Sequence, residues 1–359
     1  AVLQKKIAPD RVQGRFTTDV EIGQVSKVDS LCFHLANFLN FDGDPIKDTG
    51  CQFRGSQLKL EMGEWSVCLH EVKKLSTIYA SLKELRGYAI THVGELTRTD
   101  KQAFEIGKAK DILTTLFYLF SFMNSSWTPP ILAFVREKKD VIWQSWNLSM
   151  DRLISRWSVS PKWCPRNLSS VHEANNVKNL NALSESFFTI CGDEPKREVL
   201  HSAINWYIQS KEEANLETAI ILIQVTLELL SWAILVELGE KFSKTKFKRK
   251  DAKVKMKTLL CYVGIPTKIP VELKALCTER GSGVEIIAKI RNSLVHPRLS
   301  NRNSLKIRSH EEMFEARKLG TWYLELVLLS FLNYQGVYHN RITSTEFLQN
   351  EPVPWSVEQ

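Results

Sequence analysis

The sequence predicts an α+β protein with a strand-rich amino-terminal region over about residues 1–165 and an all-α helical bundle over about 166–359. Two observations carry this. Short runs of alternating apolar and polar residues, separated by turn-forming residues, fill the first part. Beyond Glu173 nearly every segment repeats its apolar residues at helical spacing instead. The length of 359 residues and mass of 41.2 kDa suit two domains better than one. The hydrophobic fraction of 43% and charged fraction of 25% exclude a largely disordered or fibrous chain.

In chain order, FTTDVEI, SLCFHLANF, QLKLEM and WSVCLHEV read as strands, punctuated by GDP, DTG, RGS and MGE. A helix is expected near Thr77 to Leu85, and GYAITHVGEL reads again as a strand. From Thr99 to Met123 the period changes. Thr99 or Asp100 is the expected cap, with Phe104, Ile112, Leu116, Leu119 and Phe120 at near-helical spacing. The sequence WTPP ends that helix, and ILAFV and DVIWQSW follow as extended stretches. The proline-bearing SPKWCPRN marks the expected domain boundary.

In the second half, helices are expected near 173–190, 195–213, 216–239, 271–279, 284–296 and 311–334, with a basic loop after the third. Helices of this kind bury their apolar faces against one another as a bundle. The run LETAIILIQVTLELLSWAILVEL is long enough to span a bilayer. Glu217, Gln224, Glu228 and Glu237 make hydrocarbon an expensive setting for it, so a helix buried in a protein core is expected and no membrane partner.

The net charge of +8 is concentrated. Between Lys241 and Lys257 nine cations face a single acid, Asp251, an excess equal to that of the whole chain. Such a cluster offers a polyanion a binding surface, since neutralised phosphates release counterions. A solvated loop is the bland alternative. The candidate RNA contacts are Lys244, Lys246, Lys248, Arg249, Lys250, Lys253, Lys255 and Lys257.

Seven cysteines without a CxxC pair suggest neither a zinc site nor a disulfide framework, and no cofactor is implied. The N-x-S triplets at Asn124, Asn147 and Asn167 are expected to be chance occurrences in a cytoplasmic protein, because the polar opening AVLQKKIAPDR lacks a signal-peptide core. GxxxxGK[ST], GxGxxG, GxSxG and HExxH are absent, which leaves nucleotide-fold, serine-hydrolase and zincin chemistry unsupported.

One segment carries candidate chemistry, VEIIAKIRNSLVHP. An arginine and a histidine with four or five residues between them also occur as Arg86 with His92 and as Arg166 with His172. Arg86 falls in a strand-like stretch and Arg166 in a proline-flanked loop, so only Arg291 and His296 lie on a plausible helix, closed by Pro297. At about 100° per residue, Ile286, Ile287, Ile290 and Leu294 gather on one side, while Arg291, Asn292, Val295 and His296 fall on the other. Asn292 and His296 are nearly aligned, whereas Arg291 lies roughly 140° round from His296 and must reach. The competing account is a helix C-terminus where cations favour the dipole and the last carbonyls.

The RNxxxH pattern resembles the signature of the HEPN superfamily, an arginine, usually followed by a polar residue, with a histidine four to six positions further on. The resemblance spans about residues 175–340. It implies a HEPN helical bundle, a homodimer in which two motif helices form one composite site, and metal-independent cleavage of RNA, tRNA among the candidates. The 2′-OH would attack the adjacent phosphate. In that reading His296 is general acid or base, Arg291 holds the phosphate, and Asn292 orients the phosphate or the histidine. Glu228 matches a polar position often seen on the buried helix of such domains, although a core acid paired with lysine is the other reading.

More loosely, GYAITHVGEL, TLFYLFSFMNSSW and VIWQSW resemble the amino-terminal region of bacterial ApeA-like proteins. That likeness implies a regulatory domain answering to an unknown trigger, in phage defence by abortive infection. There His92, Trp127, Trp143 and Trp146 are candidates for a ligand surface, with a packed core as the competing reading. The alternative for the whole protein is a HEPN-fold module that binds RNA or protein without cutting.

Overall fold

The computed structural model describes residues 19–41, 44–45, 56–146, 154–158, 162–164, 173–277, 281–296, 300, 303, 308–343 and 350–356. The architecture is α+β, as the periodicities predict. The first part forms strands β1 (Val20–Gly23), β2 (Lys27–Val28), β3 (Ser30–Ala36), β4 (Asp44–Pro45), β5 (Ser56–Met62), β6 (Trp65–Glu71), β7 (Ile90–Arg98), β8 (Phe104–Glu105), β9 (Ile131–Glu137) and β10 (Asp140–Trp146), with helices α1 (Leu75–Leu85) and α2 (Ile106–Asn124). Eight of these strands make one antiparallel sheet in the order β1-β10-β9-β3-β7-β6-β5-β4.

Alternation fixes which face is buried. Leu31, Phe33 and Leu35 of β3, Leu58, Leu60 and Met62 of β5, and Val67 and Leu69 of β6 are buried, as are Leu113, Leu116, Leu119 and Phe120 of α2. Gly94 is required where it stands, because a Cβ there would lie 2.2 Å from the Phe33 ring.

The start of α2 differs from the expected cap at Thr99 or Asp100. Arg98 is held by Glu64 and Asp100, Lys101 turns through a positive φ of 59°, and Phe104 pairs with Val28, so the helix begins only at Ile106. Local ion pairing and strand pairing override the helical spacing of Phe104.

The second part contains α3 (Glu173–Cys191), α4 (Glu194–Glu212), α5 (Leu216–Trp232) continuing as a π-helical turn (Ala233–Leu238), α6 (Lys244–Lys248), α7 (Ala252–Tyr262), α8 (Lys274–Cys277), α9 (Gly283–Val295) and α10 (His310–Phe331). A short hairpin of β11 (Val337–His339) and β12 (Asn350–Pro352) follows. Helix α5 is the centre of this part, packed by α4, α7, α9 and α10. The stretch Leu216–Leu238 is long and apolar enough to cross a membrane, yet most of its apolar surface is buried inside the fold, with Ile220, Ile223, Leu227, Leu230 and Leu235 at most 1% exposed. It is the core helix of the bundle.

Packing crosses from one part to the other. Helix α3 lies against β5, with Asn181 Oδ1 accepting from Glu61 N at 2.8 Å. His201 of α4 stacks on Tyr118 of α2 with centroids 3.6 Å apart, and Tyr207 Oη of α4 shares a hydrogen bond with Ser125 Oγ at 2.9 Å. Below that contact lies a buried polar cluster. Glu325 of α10 accepts from Arg341 Nε at 2.7 Å and from Arg341 Nη2 and Tyr207, with Lys211 4.0 Å away.

The expected basic loop is a correction. Ser243 caps α6, Asp251 precedes α7, and Phe247, Met256, Leu259 and Leu260 are buried. The lysines obscure an apolar repeat at Met256, Leu259, Leu260 and Val263 that is helical in spacing.

Candidate functional site at the end of helix α9

Helix α9 starts from a capping box. Ser282 Oγ accepts from Glu285 N at 3.4 Å, and the Glu285 carboxylate accepts from Ser282 N at 2.8 Å. That carboxylate is held below its usual range, chiefly by the Ser282 backbone bond. The helix then buries Val284, Ile286, Ile287 and Ile290 against its neighbours. Two glycines permit the close approach. A Cβ on Gly283 would lie 2.5 Å from Tyr323 Oη, and one on Gly320 would lie 2.9 Å from Ile223 Cγ2.

The opposite face carries the predicted residues. Asn292 and His296 are exposed, Arg291 is half-buried and Val295 is 39% exposed. Arg291 Nη1 donates to Asn292 Oδ1 at 3.3 Å, while Arg291 Nε is buried without a hydrogen-bond partner. The helix ends one residue earlier than expected. His296 is its C-cap, extended at φ −103° and ψ 119°, with its N–H donating to Asn292 O at 3.1 Å. The following proline disfavours helical backbone at His296, which accounts for the difference. The imidazole therefore leaves the helix on an extended residue, so its near alignment with Asn292 no longer follows from helical angles.

The Arg86 and His92 pair forms no such arrangement. Arg86 is the exposed C-cap of α1, whereas His92 lies fully buried in β7; Arg166 and His172 lie outside the described residues, as does Pro297. The ligand-surface reading of the amino-terminal aromatics gives way largely to a core. His92 stacks on Phe41 at 4.9 Å, Trp127 and Trp143 are buried, and only Trp146 is exposed.

The basic stretch presents its charges on α6, α7 and the turn between them. Lys244, Lys246, Lys248, Arg249, Lys253 and Lys257 are exposed, and Lys250 and Lys255 are half-buried. Several lay their stems over aromatic rings, Lys248 on Trp232, Lys250 on Phe242 and Lys255 on Phe247, at 5.0–5.8 Å. Lys257 lies 3.9 Å from Glu285, which ties α7 to the amino-terminal end of α9. At 1.5 Å per residue that point is about 16 Å from His296, so the basic surface and the polar trio occupy opposite ends of one helix. Glu228 is half-buried on α5 and accepts from Gln224 Nε2 at 3.0 Å. This bond comes from a glutamine of the same helix.

A cysteine–histidine pair that sequence reading passed over, Cys191 with His201, has Sγ and Nε2 3.8 Å apart. Burial pushes the thiol up to about 12 and, with Arg197 nearby, the imidazole down to about 4. Both shifts oppose a thiolate–imidazolium pair, so this is an inert contact. No cluster of three or more metal-ligating side chains occurs among the described residues.

Fold and site together define a chain in which an antiparallel sheet with packed helices leads into a helical bundle that displays an arginine, an asparagine and a histidine at one exposed helix end. By sequence, residues 23–159 match the YopA central domain and residues 193–351 the YopA C-terminal domain. The chain is 28% identical over 353 residues to the SPbeta prophage-derived uncharacterized protein YopA of Bacillus subtilis (strain 168), covering 96% of this chain and 76% of that protein. No solved structure matches it. These descriptions carry no activity, so a chemical reading rests on the residues themselves.

Proposed function

We propose that this chain is a metal-independent endoribonuclease of HEPN type, acting in the bacterial cytoplasm in phage defence or growth arrest. One observation carries the reading: Arg291, Asn292 and His296 lie in the last turn and C-cap of a helix whose opposite face is buried, with Asn292 and His296 exposed and Arg291 Nη1 bonded to Asn292 Oδ1. In this mechanism the RNA 2′-oxygen attacks the adjacent phosphorus and the bond to the 5′-oxygen breaks. The products are a 2′,3′-cyclic phosphate and a free 5′-hydroxyl. His296 takes the proton from the nucleophile or delivers one to the leaving oxygen. Arg291 meets the negative charge gathering on the phosphate, and Asn292 fixes its orientation.

The half-exposed Val295 beside the trio fits the face on which a second copy of α9 would complete a shared cleft. The lysines of α6 and α7 hold the RNA backbone along the same helix. An unidentified trigger acts through the sheet-bearing part. Incubating the purified protein with tRNA and other structured RNA tests the reading. Arg291→Ala and His296→Ala are expected to abolish cleavage while leaving the fold intact. Cleavage that survives both substitutions refutes this site, and RNA binding with no cleavage by the wild type selects a scaffold instead.

A further inference from the structure

An aromatic floor underlies the lysines on and around α6 and α7. Trp232 and Phe242 both pack on the buried Phe247, with ring centroids 5.9 and 5.8 Å from it. Lys248 Nζ stands 5.8 Å from the Trp232 ring, Lys250 Nζ 5.0 Å from Phe242 and Lys255 Nζ 5.6 Å from Phe247. Lys241 Nζ stands 5.5 Å from Tyr262, the most open ring of the region at 47% exposure. A lysine stem held along a ring loses less freedom when its ammonium meets a phosphate, so the floor prepares these charges for a polyanion.

Around this floor the charge is in surplus. Lys244, Lys246, Arg249 and Lys253 are exposed and form no ion pair among the described residues, and Lys257 meets a single carboxylate, Glu285, at 3.9 Å. Such cations attract phosphates whatever the base sequence. The rings decide which form of RNA fits. Proteins that hold single strands stack successive bases on open aromatic faces. Here the chain's own ammonium groups stand over the rings, and a base would have to displace them to stack. Charge is what the surface offers, and a double helix turns its phosphates outward while keeping its bases inside.

We propose that the α6–α7 surface grips paired RNA by its backbone, independent of sequence. The inference rests on the ribonuclease reading for the place of the cut alone, which falls about 16 Å along α9 from the Lys257–Glu285 contact and so outside the gripped phosphates. Binding is measured with RNA methylated at every 2′-oxygen, which blocks cleavage, so the two readings fail separately. Fluorescence anisotropy with the full chain compares two short duplexes of unrelated sequence with a single strand of equal length. The duplexes should bind alike and about tenfold or more tighter than the single strand. Lys246→Gln combined with Lys253→Gln should lower the slope of log affinity against log salt by about two. Tyr262→Ser should change duplex affinity less than about twofold, where loss of a stacking platform costs about tenfold. Each variant is checked for folding by circular dichroism. No binding of the duplex, a single strand bound as tightly, an unaltered salt slope in the folded double variant, or a tenfold loss in folded Tyr262→Ser overturns the proposal.

Discussion

Replacing His92 by phenylalanine should remove an acid sensitivity built into the sheet. The imidazole is fully buried, stacked on Phe41, edge-on to Phe38 at 5.4 Å, with Nδ1 3.1 Å from Thr91 Oγ1 and Nε2 lacking any partner. Burial pushes its pKa down from 6.5 to about 3. The unfolded chain therefore takes up a proton below about pH 6.5 that the folded chain refuses until about pH 3, and stability present above that window is lost as pH falls through it. One proton corresponds to about 1.4 kcal/mol per pH unit, or about 2 kcal/mol between pH 6.5 and 5. Urea unfolding followed by tryptophan fluorescence over this range should show the wild type losing about that much more than His92→Phe. Parallel pH profiles for the two proteins would refute the assignment of a neutral, desolvated imidazole.

Two further substitutions address the scaffold. Arg341→Met strips the buried Glu325 of its two-pronged partner and is expected to cost about 3–5 kcal/mol in the same unfolding assay; a loss below about 1 kcal/mol means the pair is solvated. Gly283→Ala forces a methyl group against Tyr323 and Leu319, so a destabilisation of about 1–3 kcal/mol is expected, together with reduced RNA cleavage as α9 is pushed from its seat. An unchanged melting temperature would show that the helix is not held as tightly as its packing implies.

Much of the scaffold was legible because burial leaves a period in the chain. Strands β3, β5 and β6 alternate so regularly that the residues forming the core follow from the sequence, and Ile286, Ile287 and Ile290 locate the buried face of α9 in the same way. What escaped depends on contacts between distant residues. The start of α2 was hidden by the Arg98 ion pairs and by strand pairing of Phe104 with Val28. Lysine density concealed the helices at 244–262, since charge at the exposed positions outweighs a four-residue apolar repeat in any composition-based reading. The β11–β12 hairpin is three residues to a strand, too short for alternation to register. The trio was legible as a group, but Pro297 already signalled that His296 would leave the helix.

The central claim is tested most directly at the ends of the RNA fragments. Mass analysis of products made by the wild-type protein should find 2′,3′-cyclic phosphates and 5′-hydroxyls, and a 2′-deoxy sugar at the cut position should stop cleavage there. Breakage at the deoxy position, or fragments ending in 3′-hydroxyls, would contradict a reaction in which the substrate's own hydroxyl is the nucleophile beside Arg291 and His296.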